Sequence, residues 1–337
     1  MRAALTSLAL LVAMPAAAAT VTTFDVPGAT RTEVGAVSPA GLIAGSYGPA
    51  QPDPCGRRCG FLRMSNGTFQ TFSVFRAKAL TVRAVNDSGT VAGQYLKHKR
   101  LIGFIRTPDG TVSSIDFPDS TTDARSVNAS GTVTGLTRSE DGVSGFLRTP
   151  DGQVSTFGVA NCEETFGFGI NGSGTVAGVC DTTSEGFGFA RLSNGDSTTF
   201  QVGGQDTDAI FIDDAGAVAG TYLSGPIDAL IWHGYIRDPD GTMHTFDFPG
   251  GEHFRSYGPP YMATVGGDRQ LVSDIWGHDK HWFGYLRHDD GTIETFDVSH
   301  NGLAHTGTFV HGIATSGMIA GTYTDDGATY HGYTRTP

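Results

Sequence analysis

Beyond its first residues the chain has no run approaching the ~20 apolar residues a helix needs to cross a bilayer. After Thr20 no stretch keeps a 3.6-residue apolar period beyond about two turns, which removes helical folds from consideration. Cations are scarce: 22 Lys and Arg face 34 Asp and Glu, for a net charge of −12. Phosphate binding needs clustered cations, so this balance argues against nucleic acid or an anionic membrane surface as partner. An acidic surface mainly supplies solubility. Catalytic signatures are missing as well: there is no EF-hand-like loop, zinc-protease His pair, phosphate-binding Gly loop or Gly-x-Ser-x-Gly elbow. No Pro/Ser linker or charge block divides the chain, so residues 20–337 are expected to form one domain.

The first 19 residues read as an export signal. Arg2 supplies a positive start, Leu5 to Met14 is a short apolar run, and Ala17-Ala18-Ala19 fits a small-residue cleavage site. No Cys follows that site, which argues against a lipid anchor. The expectation is a monomeric protein starting near Thr20, periplasmic or extracellular, without membrane insertion.

What the sequence does contain is repetition. Gly-Phe/Tyr-x-Arg occurs seven times, opening at Gly60, Gly103, Gly145, Gly188, Gly234, Gly284 and Gly332, with spacings of 42 to 50 residues. Periods of this size mark propellers and other repeat arrays. The third copy shows the unit. Ser114-Ile115-Asp116-Phe117 stops at Pro118, and Asp123 to Val127 ends on the turn signal Asn128-Ala129-Ser130-Gly131. Thr132 to Leu136 and Gly145 to Arg148 follow, then Pro150-Asp151-Gly152 turns into the next copy. Short β-branched and aromatic runs punctuated by Asn/Asp/Ser-Gly turns are hairpin strands, and four of them make one propeller blade. The last copy lacks its fourth strand, while Thr20 to Val26 is such a strand without its preceding turn. Because a ring must hide its edges, the sequence predicts an all-β, seven-bladed β-propeller whose last blade is closed by the N-terminal strand.

Thr245-Phe246-Asp247-Phe248-Pro249-Gly250, Ile170-Asn171 and His331-Gly332-Tyr333 match parts of a known pattern. On these residues the chain resembles the bacterial extracellular HAF repeats along residues 20–337, although His precedes the Gly only at His233 and His331. The resemblance implies secretion and a propeller-like fold, and no defined activity.

Positions shared by every copy read as scaffold, and the seven arginines are expected to tie their own blades together. Sites are grafted where copies differ. In a propeller the long connections, from fourth strand to next first strand and from second to third, share one face, where a concave mouth is the default binding site. Four cysteines in an exported chain suggest two disulfides among three pairings, with topology favouring Cys55–Cys59 and Cys162–Cys180. The sixth copy departs most, with His253, Arg255, Tyr257 and Tyr261 in its approach and Trp276, His278, Lys280, His281 and Trp282 in its second connection. The next approach adds His305 and His311. The imidazoles, Lys280, Tyr257 and Arg255 are candidate acid, base and carboxylate clamp, with Trp276, Trp282 and Tyr261 as candidate sugar platforms. Glu33, Asp123 and Asp208 stand at one strand position in alternate copies, a candidate oxygen-ligand set for Ca²⁺. The leading expectation is a secreted scaffold binding an extracellular glycan or protein with its loop-rich face. The alternative is a lyase or hydrolase of anionic glycans.

Overall fold

The computed structural model describes residues 19–50, 57–225, 231–247, 260–276, 280–299 and 306–337. Among these residues the ordered elements are 28 β-strands and no helix. They form five four-stranded antiparallel sheets and one eight-stranded sheet, whose two halves touch through a single parallel bridge, Trp282 to Gly307. The third copy runs Val112–Ile115, Thr121–Val127, Val133–Ser139 and Gly142–Arg148, close to its sequence reading.

The first strand of each group is innermost: Ala29–Val37, Leu80–Val85, Thr121–Val127, Glu164–Ile170, Thr207–Ile212, Tyr261–Val265 and Gly307–Ile313. Each packs against the next in chain order, and Gly307–Ile313 packs against Ala29–Val37, so the sheets close a circle. This radial arrangement is a β-propeller architecture. Apolar residues lie mainly between neighbouring sheets. Ala44 and Leu62 of one sheet, for example, share a cluster with Val91 and Phe104 of the next.

The repeated phrase explains how sheets adhere. Its aromatic residue, Phe61, Phe104, Phe146, Phe189, Tyr235, Tyr285 or Tyr333, is fully buried in every copy. Its glycine faces the phenylalanine of the neighbouring outer strand, as Gly60 pairs with Phe72 and Gly188 with Phe200. The ring lies so close over the glycine that a Cβ there would overlap it. The other side of the ring takes the arginine of the following copy: Arg106 stands 5.4 Å over Phe72, Arg237 4.9 Å over Phe200 and Arg335 5.0 Å over Phe296. Six of the seven arginines make this cation–π contact. These six arginines therefore clamp the preceding sheet as well as tying their own, where Arg106 donates to Gly89 O at 3.3 Å and Arg287 to His288 O at 3.0 Å. Arg148 is the exception, since Ile115 stands opposite Gly103 where other copies have Phe.

A second latch runs around one end. In each Asn-x-Ser-Gly turn the Asn Oδ1 accepts the backbone N–H four residues on, as Asn86 does from Thr90 at 2.9 Å. Its amide then donates to the next turn: Asn86 to Asn128 O at 2.9 Å, Asn128 to Asn171 O at 3.0 Å, and Asn171 to Asp213 O at 3.0 Å. At the chain ends Thr20–Phe24 pairs antiparallel with His331–Thr336, from Thr20 opposite Thr336 to Phe24 opposite Gly332. Cys162 and Cys180 form a disulfide. Cys59 is also disulfide-bonded, and its expected partner Cys55 lies outside the described residues.

Candidate functional site: the central channel

The inner strands surround a cavity of about 1620 Å³ to which every one of them contributes. Six of these strands carry a β-bulge, leaving Gly35, Arg83, Arg125, Phe168, Ile210 and His311 without a cross-strand partner. All six line the cavity. A bulge re-aims a side chain, and here it turns one extra residue per strand toward the lumen. The bulge presses a first-strand carbonyl against the second strand, so that a Cβ at Gly93, Gly135 or Gly220 would overlap the carbonyl of Thr81, Asp123 or Asp208. Tyr261–Val265 pairs without a bulge, and Ser273 replaces that glycine.

Charge in the channel is segregated. Asp123 lies 2.6 Å from Arg125 and 3.5 Å from Arg83, one carboxylate for two guanidinium groups. Glu33 is likewise shared between Arg31 and Arg58, the latter at 3.4 Å. This arc holds an excess of positive charge. Asp181 and Asp208 line the cavity with no cation within ion-pair distance among the described residues, and they form the acidic arc. Burial, with Asp181 and Asp206 adding, pushes the Asp208 carboxyl up to about 6. Asp181 is raised by burial and by Glu164 and Asp206. Between the arcs Phe168 lies 5.0 Å under the Arg125 guanidinium.

The remaining wall is aromatic. Arg31 stands 4.0 Å over Tyr330, Tyr330 is 6.1 Å from Phe309, Phe309 is 5.4 Å from Trp282, and Tyr261 is 6.4 Å from Phe211. Burial, with Arg83 adding, pushes His311 down to about 4 and keeps its imidazole neutral. On the same wall buried Asp274 accepts the Val310 N–H at 3.3 Å, and burial lifts its carboxyl to about 7.

The expected site residues scatter. His253, Arg255, Tyr257, His278 and His305 lie outside the described residues. Of the other candidate acids and bases, only His311 lines the channel, together with the platforms Tyr261 and Trp282. Trp276 stacks edge-on against Trp282 at 4.9 Å. Lys280 is exposed at a bend. His281 lies off the channel, its ring fully buried and bound at both nitrogens, by Thr306 Oγ1 at 2.9 Å and Asp297 Oδ2 at 2.8 Å. The three carboxylates expected to hold Ca²⁺ do not come together. Among the described residues no three His, Cys, Asp or Glu side chains group to hold a metal ion. Glu33 and Asp123 are engaged by arginines, which leaves Asp208 apart from them. The bulged residues were missed by sequence reasoning, although the second-strand glycines opposite them were a usable signal.

No family model matches the chain. No curated protein matches it. Solved structures do. A catalytically inactive virginiamycin B lyase from Staphylococcus aureus, solved with quinupristin, superposes with a TM-score of 0.62 at 12% identity, over 95% of this chain and 99% of that one. The β-propeller domain of the Trilobed protease from Pyrococcus furiosus gives 0.55 at 10% identity, over 90% and 95%. TolB from Acinetobacter baumannii gives 0.51 at 14% identity, over 79% and 63%. The fold is that of a β-propeller. Among the described residues no helix is long and apolar enough to cross a membrane.

Proposed function

We propose that this chain is a secreted propeller of the HAF-repeat kind that captures a small ligand in its central channel. The eight-stranded sheet counts as two blades stapled by one bridge, giving seven blades with the last completed by Thr20–Phe24. The observation that carries the reading is the convergence of Arg83, Arg125, Phe168, Ile210 and His311, each released from pairing by a bulge, on one cavity. The bulge recurs as scaffold, but the residue it turns toward the lumen differs from copy to copy, and positions that differ are where a site is grafted. The matching ligand has an anionic group for the Arg83–Arg125 arc, an aromatic body for Phe168 and its neighbours, and a cationic group for Asp208 and Asp181.

Thermal-shift titration with tyramine, 4-hydroxyphenylacetate and tyrosyl-glycine tests this. The dipeptide, which carries both charges, should raise the melting temperature most, and Asp208→Asn or Arg83→Gln should abolish its advantage. No response to any probe, or an equal response in both variants, would sink the reading.

One observation favours an enzyme as the second reading, a lyase or hydrolase of extracellular anionic glycans. Asp274, protonatable near neutrality, and His311, held neutral, share one wall of the channel. A perturbed acid and base together suit proton transfer, and one propeller of similar fold is a lyase. Absence of unsaturated or hydrolysed product from polygalacturonate and alginate would remove it.

A further inference from the structure

The chain has four lysines, and three of them, Lys78, Lys97 and Lys99, belong to the second repeat. The structure gathers them. Leu80 pairs with Tyr95, and Leu96 N–H donates to Ala79 O at 3.0 Å, so Lys78 and Lys97 flank the same end of two adjacent strands. Lys97 pairs in turn with Arg100 across the His98-Lys99 turn. Arg76 lies in the connection just before Lys78. Arg76, Lys78, Lys97 and Lys99 are all exposed, and none forms an ion pair among the described residues. Only Arg100 is neutralised, by Asp116 at 2.8 Å. Like charges at neighbouring strand positions repel, so the crest is not explained by stability.

Two further observations fall on the same crest. Among the described residues seven non-glycine residues have positive φ, and four are here: Phe75 at 47°, Arg76 at 54°, His98 at 49° and Lys99 at 67°. Each pair is the centre of a two-residue turn, Phe75-Arg76 closed by Ala77 N–H to Val74 O at 2.9 Å and His98-Lys99 by the pairing of Lys97 with Arg100, and turns of this kind take positive φ at both central positions. Phe75 is also 51% exposed, its ring resting 5.2 Å from that of Tyr95. The result is a shallow aromatic platform edged by four free cations. It stands beside the channel mouth, because the strand that follows Lys78 carries Thr81, Val82 and Arg83 into the cavity wall.

We infer that this crest docks an anionic polysaccharide whose carboxylates meet Arg76, Lys78, Lys97 and Lys99 and whose apolar sugar face lies on Phe75. The molecule's net charge of −12 selects the shape of the partner. Salt limits electrostatic reach to about 8 Å under physiological conditions. A single narrow chain laid on the crest feels mostly the cations, whereas an anionic membrane plane would also face the acidic remainder. Duplex DNA, with one charge per ~1.7 Å of axis, would be repelled more strongly than a sparsely charged glycan. The inference does not depend on which ligand enters the channel.

Fluorescently labelled polygalacturonate, titrated with the protein and read by anisotropy at 50 and at 200 mM NaCl (roughly the range over which counterion release is resolved), tests the assignment. Wild type should bind, more weakly at the higher salt. K78Q/K97Q/K99Q should lower affinity at least about tenfold and flatten the salt dependence, with its melting temperature unchanged because all three side chains are exposed. Phe75→Ser should weaken binding while leaving the salt slope intact, which keeps the proposal open to test if the triple variant is unstable. Equal binding of fully methyl-esterified polygalacturonate, unchanged affinity in the triple variant, or binding only to oligonucleotides or phosphatidylserine vesicles would overturn it.

Discussion

Replacing Phe24 with Ala tests the non-covalent seam that completes the ring. Phe24 lies opposite Gly332, with its ring against that glycine, the Arg63 guanidinium 4.7 Å over it and Phe69 at 6.0 Å. The half-buried ring removes about 100 Å² of apolar surface from water, worth ~2.5 kcal/mol. The cation–π contact adds ~0.5–1 kcal/mol, so Phe24→Ala should cost about 3 kcal/mol. For a domain of this size each kcal/mol moves the melting temperature by about 1.5 °C, and differential scanning calorimetry should show a fall of about 4–5 °C. Val21→Ala in the same strand is the control, since Val21 is 44% exposed and its loss should fall within ~0.5 kcal/mol of wild type. A fall below ~2 °C for Phe24→Ala would mean that this strand does not hold the last sheet.

Gly188→Ala places a Cβ 2.6 Å from the Phe200 ring and 3.2 Å from Ala209 Cβ, and such overpacking should cost about 2 kcal/mol in urea unfolding; a neutral result would show that the ring-on-glycine contact is not tight. Asp208, raised to about 6 by burial, favours the fold while protonated, so that contribution is full below pH ~4 and lost as pH rises through about 6. Asp208→Asn should therefore raise the unfolding midpoint at pH 7.5 and lose that advantage near pH 4, and a gain that does not depend on pH would refute the burial argument. Replacing Cys162 and Cys180 with Ser opens a loop of sequence separation 18 and should cost about 3 kcal/mol, while a melting temperature equal to wild type would show that the bridge does not constrain the unfolded chain.

The sequence by itself determined the local unit and its chain order. Gly-Phe/Tyr-x-Arg recurs in all seven copies because each must make the same close approach, and the Asn-x-Ser-Gly and Asp-Gly turns recur in several of them. Recurrence of that kind is visible in one dimension. The pairing of Cys162 with Cys180 was legible for a similar reason, since both belong to one four-strand unit. Partnership between units was not legible. A repeat cannot distinguish a contact inside one sheet from the same contact made to its neighbour, so the grip of each arginine on the preceding sheet's phenylalanine was not foreseen. Glu33, Asp123 and Asp208 occupy one register position, yet only the tertiary structure brings arginines to the first two and leaves the third beside other carboxylates. Burial of His281 depends on Thr306 and Asp297 arriving from across a connection, and no local pattern announces that. The channel itself was decided by geometry. Lumen-facing residues are free to vary from copy to copy, so they leave no periodic trace except the glycine opposite each bulge. What a site needs to differ in is what a repeat search discards, and only closing the sheets into a circle brings those residues together.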